Sequence, residues 1–226
     1  MLKLFGKYHS LFLLFSGLSL RAVADIYLWL RRSWASPSPN FMKWQVLRRN
    51  SNYGVWIETG TYKGHTSLFL SRIGEVVYSL EPMEKIFHKT QRRLRFVANV
   101  HMLNVSSENG FHNAIIEVLS QERIKGYPIN FWLDGHFSGG ETFLGSSPTP
   151  INAELEIISK MLPHFIESSI FIDDVRCFSS NSYDEHENYP HLNTLADWAI
   201  KNDLSWSIEH DIFIARKLSS TSSKGN

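Results

Sequence analysis

GVWIETGTYKGHTSLFLSRIGEVVYSLEP, residues Gly54 to Pro82, decides the fold. Two β-rich runs, Val55 to Glu58 (VWIE) and Val76 to Glu81 (VVYSLE), flank a glycine-containing turn and a helical stretch, His65 to Arg72. A strand, a crossover helix and a second strand make a parallel pair. Outward from this unit the pattern repeats. Further β-rich runs are Val100 to Val105 (VHMLNV), Ile129 to Asp134 (INFWLD) and Ser169 to Asp174 (SIFIDD). Helices are expected at Met83 to Phe96, Asn109 to Ser120 and Ile151 to Leu162, the last with Thr149 as N-cap and Pro150 at the first helical position. Near the C-terminus, Leu192 to Lys201 reads as a helix. Ser205 to Glu209 and Ile212 to Ala215 then read as strands joined by the His210-Asp211 turn, an antiparallel hairpin at the sheet edge. The expected class is α/β: a Rossmann-like, doubly wound, mainly parallel sheet with that hairpin at its C-terminal side.

The 226 residues suit one generous domain, and 23 basic against 22 acidic side chains exclude a strongly charged disordered chain. A net charge of +1 gives no field for steering a polyanion, so no nucleic-acid partner is expected. The basic cluster Gln91 to Arg95 (QRRLR) reads as a solvated helix face. The single Cys177 excludes an intrachain disulfide and favours a reducing, cytoplasmic setting. Aromatics make up 13% of the chain, with 7 Trp, and must be buried, gathered at a binding surface or set against a membrane. Trp56, Phe131, Trp132, Phe171 and Phe213 fall on strands and are expected in the core; Tyr62, Phe137, Phe143 and Tyr183 fall in loops at strand ends.

The opening, residues 1–34, has Lys3, Lys7, an apolar run from Leu11 to Leu20 and Ala22-Val23-Ala24, the outline of a secretory signal. Arg21 and Asp25 would interrupt a membrane span of about 20 residues. At helical period Leu11, Leu14, Phe15, Leu18, Ala22, Ile26 and Trp29 share a face. The expectation is a helix covered by its own domain or a homodimer partner, or lying peripherally at a membrane with Trp29, Arg31, Arg32 and Trp34 at the headgroups. Ser36 to Asn40 (SPSPN) reads as a linker, giving an N-terminal segment 1–40, a main domain 41–218 and a polar tail 219–226.

Gly60 and Gly64 permit a tight strand-to-helix turn whose backbone N–H groups can approach a ligand. The spacing E-x-G-x-x-x-G differs from the G-x-G-x-x-G of dinucleotide sites, and Glu58 would repel a pyrophosphate. The zwitterionic methionyl part of S-adenosylmethionine (SAM) tolerates an acid there. Glu81 ends the next strand, where an acid hydrogen-bonds the ribose hydroxyls of an adenosine cofactor.

With these motifs the chain resembles the class I SAM-dependent methyltransferases. The resemblance implies a cofactor site made by Glu58, Thr59, Gly60, Thr61, Tyr62, Gly64, Thr66 and Ser67, with Glu81 on the ribose and Asp134 beside it. The family's polar pair after the third strand is replaced here by Val105-Ser106-Ser107, which leaves Ser106 for the adenine.

Asp134 follows the fourth strand, and Asp173 and Asp174 follow the fifth. Neighbouring parallel strands lie about 4.8 Å apart, so these acids can converge on a hard cation, Mg²⁺ or else Mn²⁺ or Ca²⁺. Other roles open to the pair are capping a loop or pairing with Arg176. His136, next to the cluster, suits a general base near neutral pH, or a structural hydrogen bond. This arrangement resembles the metal-dependent O-methyltransferases of the catechol and macrolide-sugar types. The sugar type carries a His that His136 resembles at an offset one residue shorter; the catechol type has a Lys where Phe137 stands.

The resemblance implies metal-assisted methyl transfer from SAM to a hydroxyl of a small-molecule or saccharide acceptor. Phe137 to Pro150 and Ser179 to Pro190 are expected to wall the acceptor pocket, with Trp132, Tyr183 and His186 suited to stacking on or reading a sugar. Glu154 is either on a solvated helix face or within reach of the site. The competing functions are a membrane-associated, non-catalytic protein of this fold and a nucleotide-dependent oxidoreductase.

Overall fold

A computed structural model describes residues 20–31, 37–134, 150–178 and 189–218, with only the backbone of 20–22. His136, Phe137, Phe143, Tyr183, His186 and Thr149 lie outside the described residues.

Five consecutive strands form the expected parallel core: β1 (Val55–Thr59), β2 (Val76–Leu80), β3 (Val100–Leu103), β4 (Ile129–Leu133) and β5 (Ser168–Ile172). Every residue of β1, β2, β4 and β5 is buried, as expected of strands with a neighbour on each side and helices over both faces. The C-terminal strands β6 (Ser205–Glu209) and β7 (Ile212–Lys217) form the hairpin, and β7 pairs antiparallel with β5. The sheet order is β3-β2-β1-β4-β5-β7-β6. Its direction of winding reverses between β1 and β4, the switch point beside which ligands bind in open α/β sheets.

Between the strands run α3 (His65–Leu70), α4 (Glu84–Leu94), α5 (Ser107–Ser120) and α6 (Ile151–Met161), and α7 (Leu192–Lys201) precedes the hairpin. Alternation along the strands feeds two cores. Val55, Ile57, Phe131 and Ile170 pack with Phe111, Ile115, Leu155, Ile158 and Leu195 of α5, α6 and α7. On the opposite face Trp56, Val77, Trp132 and Phe171 pack with Leu70 of α3 and with Val46 and Leu47 of a further helix, α2 (Asn40–Asn50). Trp56, Phe131, Trp132, Phe171 and Phe213 are all buried, as their strand positions predict.

Helix α2 is not among the expected elements. Its inward stripe is Lys43, Val46 and Leu47, and a lysine in that stripe breaks the apolar period by which the helix would be seen. Pro150 is the N-cap of α6 rather than its first helical residue. In α1 (Leu20–Arg31) Trp29 is buried and meets the ring of His210 edge-on at 5.5 Å, Ile26 is half-buried, and Tyr27, Leu28 and Leu30 are exposed. No helix among the described residues is long and apolar enough to cross a membrane.

Candidate active site

Strand alternation places the acids. Glu58 follows Trp56, Glu81 follows Val77 and Ser79, Asp134 follows Trp132, and Asp173 follows Phe171, each at an even spacing. All four therefore issue on the α2/α3 side of the sheet, at or just beyond the carboxyl ends of β1, β2, β4 and β5.

The turn after β1 is built around Glu81. Gly60 (φ 85°), Tyr62 (φ 46°) and Gly64 (φ 69°) occupy left-handed backbone, which reverses the chain within five residues before α3 begins. At Gly64 a Cβ would lie 2.6 Å from Thr90 Cγ2 of α4, so the residue also allows that helix to pack close. Tyr62 N–H donates to Glu81 Oε2 at 2.8 Å, and Met83 N–H donates to Oε1 at 3.0 Å. Thr90 Oγ1 donates to the Tyr62 carbonyl at 2.6 Å. The expectation that the turn's N–H groups face a ligand is revised, since those of Gly60 and Thr61 reach Leu80 O and that of Gly64 reaches Thr61 O. What the turn presents is the Glu81 carboxylate, fixed in place and retaining acceptor capacity on both oxygens.

Glu58 and Ser67, expected at the cofactor, lie beneath the turn instead. Glu58 is 1% exposed; Ser67 and Ser79 donate to its Oε2 at 2.5 and 2.6 Å. Thr61 Oγ1 continues the chain to Ser79 at 2.6 Å. Burial pushes the Glu58 carboxyl up to about 8 against the two hydroxyl bonds. Thr59 ends β1, buried, and Thr66 is half-buried in the first turn of α3. Ser106 is buried just after β3, and its hydroxyl has no hydrogen-bond partner among the described residues. Glu154 is 2% exposed rather than on a solvated face, and burial raises its carboxyl to about 7.

Asp134, Asp173 and Asp174 converge as expected, with one ligand atom from each within 4.8 Å of the others. The cation among them is one that sequence reasoning missed. Lys43 Nζ donates to both oxygens of Asp173 at 2.6 Å and to Asp174 Oδ1 at 3.1 Å. Burial works against the Lys43 charge, and Asp173 and Asp174 outweigh it, holding the ammonium well above the ordinary lysine range. Burial and Asp134 push Asp173 toward its neutral form, but the ammonium on both its oxygens keeps the proton on Lys43. Asp174, in left-handed backbone (φ 56°), also accepts from Arg176 Nη1 at 2.6 Å, and Arg176 pairs further with Asp211. Pairing with Arg176 is thus realised at Asp174. The three carboxylates have the spacing for a divalent ion, yet both oxygens of Asp173 and Oδ1 of Asp174 face protein cations, so the arrangement does not fit a metal.

A cavity of about 430 Å³ opens over this cluster, lined by Asp25 of α1, Pro37 to Asn40, Lys43, Asp134, Asp173, Asp174 and Arg176. Four carboxylates against two cations make its described wall acidic. Asp134 joins it to the turn after β1, because its N–H donates to Thr59 O at the end of that strand.

Solved methyltransferases are similar to the chain in fold. An rRNA methylase from Streptococcus thermophilus is 18% identical, the likeness covering 82% of this chain and 98% of that one at a TM-score of 0.46. A candidate methyltransferase from Streptococcus mutans, in complex with SAH, is 16% identical over 80% of this chain and 98% of its own, at 0.48. A SAM-dependent methyltransferase from Aquifex aeolicus is 14% identical over 76% and 86%, at 0.45. No protein-family model matches the chain, and no curated protein matches it in sequence.

Proposed function

We propose that the chain is an enzyme that transfers the methyl group of SAM to a hydroxyl of a small-molecule or saccharide acceptor. The observation that carries this is the lock between Glu81 and the Tyr62 amide, which holds a buried carboxylate against a left-handed glycine turn beside the sheet's switch point. A carboxylate so placed accepts from vicinal ribose hydroxyls. Ser106, buried after β3 with a hydroxyl that has no partner among the described residues, offers a polar contact to an adenine. The residues therefore fit the cofactor. SAM, when bound, supplies a methyl group on a positively charged sulfur, ready for displacement by an oxygen nucleophile.

The remaining work falls to the chain. The acidic cavity adjoins Asp134 and favours a neutral or cationic, hydroxyl-bearing acceptor while repelling a polyphosphate, which argues for a small molecule or saccharide over RNA. His136, two residues beyond Asp134, is the base assigned to take the hydroxyl proton as the new C–O bond forms and the methyl–sulfur bond breaks, leaving a methyl ether and S-adenosylhomocysteine. Alignment of oxygen, methyl and sulfur accounts for most of the barrier reduction. A metal has no part in this chemistry, because Lys43 holds both oxygens of Asp173 and Oδ1 of Asp174.

Isothermal titration of the full chain with SAM and S-adenosylhomocysteine tests the proposal. Both are expected to bind, and Glu81→Ala and Gly60→Val to abolish the heat while the variants keep the wild-type circular dichroism spectrum. Absence of any binding heat in the wild type removes the methyltransferase reading.

A further inference from the structure

We propose that Lys43 is the resident cation of the carboxyl-edge site, taking the position among Asp134, Asp173 and Asp174 that a divalent metal would need, so that the site works without one. Its place follows from α2: Lys43, Val46 and Leu47 share the stripe that faces the sheet, and the two apolar members anchor the helix against Trp56 and Phe171. The helix thereby carries an ammonium into the interior from 130 residues away in sequence. A lysine is almost never buried without an ionic partner, and here it has two.

A metal would have to displace it. Mg²⁺ requires oxygens at about 2.1 Å, and both oxygens of Asp173 already accept from Lys43, with Nζ 2.6 Å from each. Asp174 Oδ1 receives both Lys43 and Arg176. Ion and ammonium would compete for the same lone pairs as two like charges a few ångströms apart, which repel. The role this assigns to Lys43 is that of a positioning residue, which holds Asp173 and Asp174 beside Asp134 at the wall of the acceptor cavity. That consequence for catalysis rests on the methyltransferase reading, whereas the assignment of the cation does not.

Titration of the full chain with Mn²⁺, followed by electron paramagnetic resonance, tests the assignment, with S-adenosylhomocysteine calorimetry on the same samples. Wild type is expected to leave Mn²⁺ free. Lys43→Met, which keeps most of the side chain's length without its charge, is expected to bind Mn²⁺ at least about tenfold more tightly, since uncompensated carboxylates set the affinity of oxygen-ligated sites. Adding Asp173→Asn should remove the gain. Mn²⁺ binding by wild type that Asp173→Asn abolishes overturns the proposal. So does a Lys43→Met protein that keeps its S-adenosylhomocysteine heat yet gains no affinity for Mn²⁺. Should Lys43→Met fail to fold, the wild-type titration against Asp173→Asn decides by itself. Loss of the calorimetric signal in every sample defeats the methyltransferase reading and leaves the Mn²⁺ comparison valid.

Discussion

Glu58 shows how a single side chain can carry a pH dependence that its sequence position hides. Its carboxyl is raised to about 8 in the fold against 4.5 for the ordinary side chain, so the folded state holds a proton that the unfolded chain releases. Its stabilising contribution is whole below about pH 4.5 and is lost as pH climbs toward 8. Glu58→Gln keeps an acceptor for Ser67 and Ser79 without a charge, and is expected to gain stability over wild type as pH rises across that window, by on the order of a few kcal/mol at its upper end. Urea unfolding of both proteins at pH 5 and pH 8 measures the difference, and a gap that does not widen with pH contradicts the expectation. Gly64→Val joins a strained left-handed φ to a Cβ 2.6 Å from Thr90, and should cost roughly 2–4 kcal/mol in the same assay. At this scale Glu81 was legible, because its spacing from the glycine turn reflects the length of one strand-to-strand crossover. Lys43 was not, since a lysine in a short helix normally points to water.

Helices and strands differ in how far their own residues announce them. The strands were readable because burial on both faces favours predominantly apolar runs, and β1, β2, β4 and β5 are such runs with acids at or just beyond their ends. Helix α2 escaped because its inward stripe contains Lys43, so its register became visible only with Asp173 in place opposite it. Helix α1 lies between these cases. Its period put Ile26 and Trp29 on one face, but what that face meets, the His210 turn of the hairpin, lies far along the chain. Trp29 is the one fully buried side chain described in α1, so Trp29→Ala should release the helix. Hydrogen exchange over Val23 to Arg31 is then expected to accelerate by about tenfold or more while β1 and β4 stay protected. Unchanged exchange would mean that other contacts dock the helix.

Taken whole, the molecule gathers two features at one sheet edge: a turn locked to Glu81 and an acidic cavity beside Asp134. Ligand binding to the first should stabilise everything built around it. S-adenosylhomocysteine at about 100 times its Kd is expected to raise the melting temperature of wild type by roughly 5–10 °C, and that of Glu81→Ala by much less, by differential scanning fluorimetry. Equal shifts in the two proteins would place the cofactor elsewhere. The strand order could not be read from local pattern, but the side of the sheet on which the acids emerge could, because side chains alternate with a period of two and each acid sits an even number of residues from a buried Trp, Phe or Val. By itself, then, the sequence determined an α/β sheet, a glycine turn answered by an acid, and three carboxylates near one edge. Only the tertiary structure decided what neutralises those carboxylates. Ion pairing depends on distance in space, and Lys43 reaches Asp173 across 130 residues only after α2 has packed against the finished sheet.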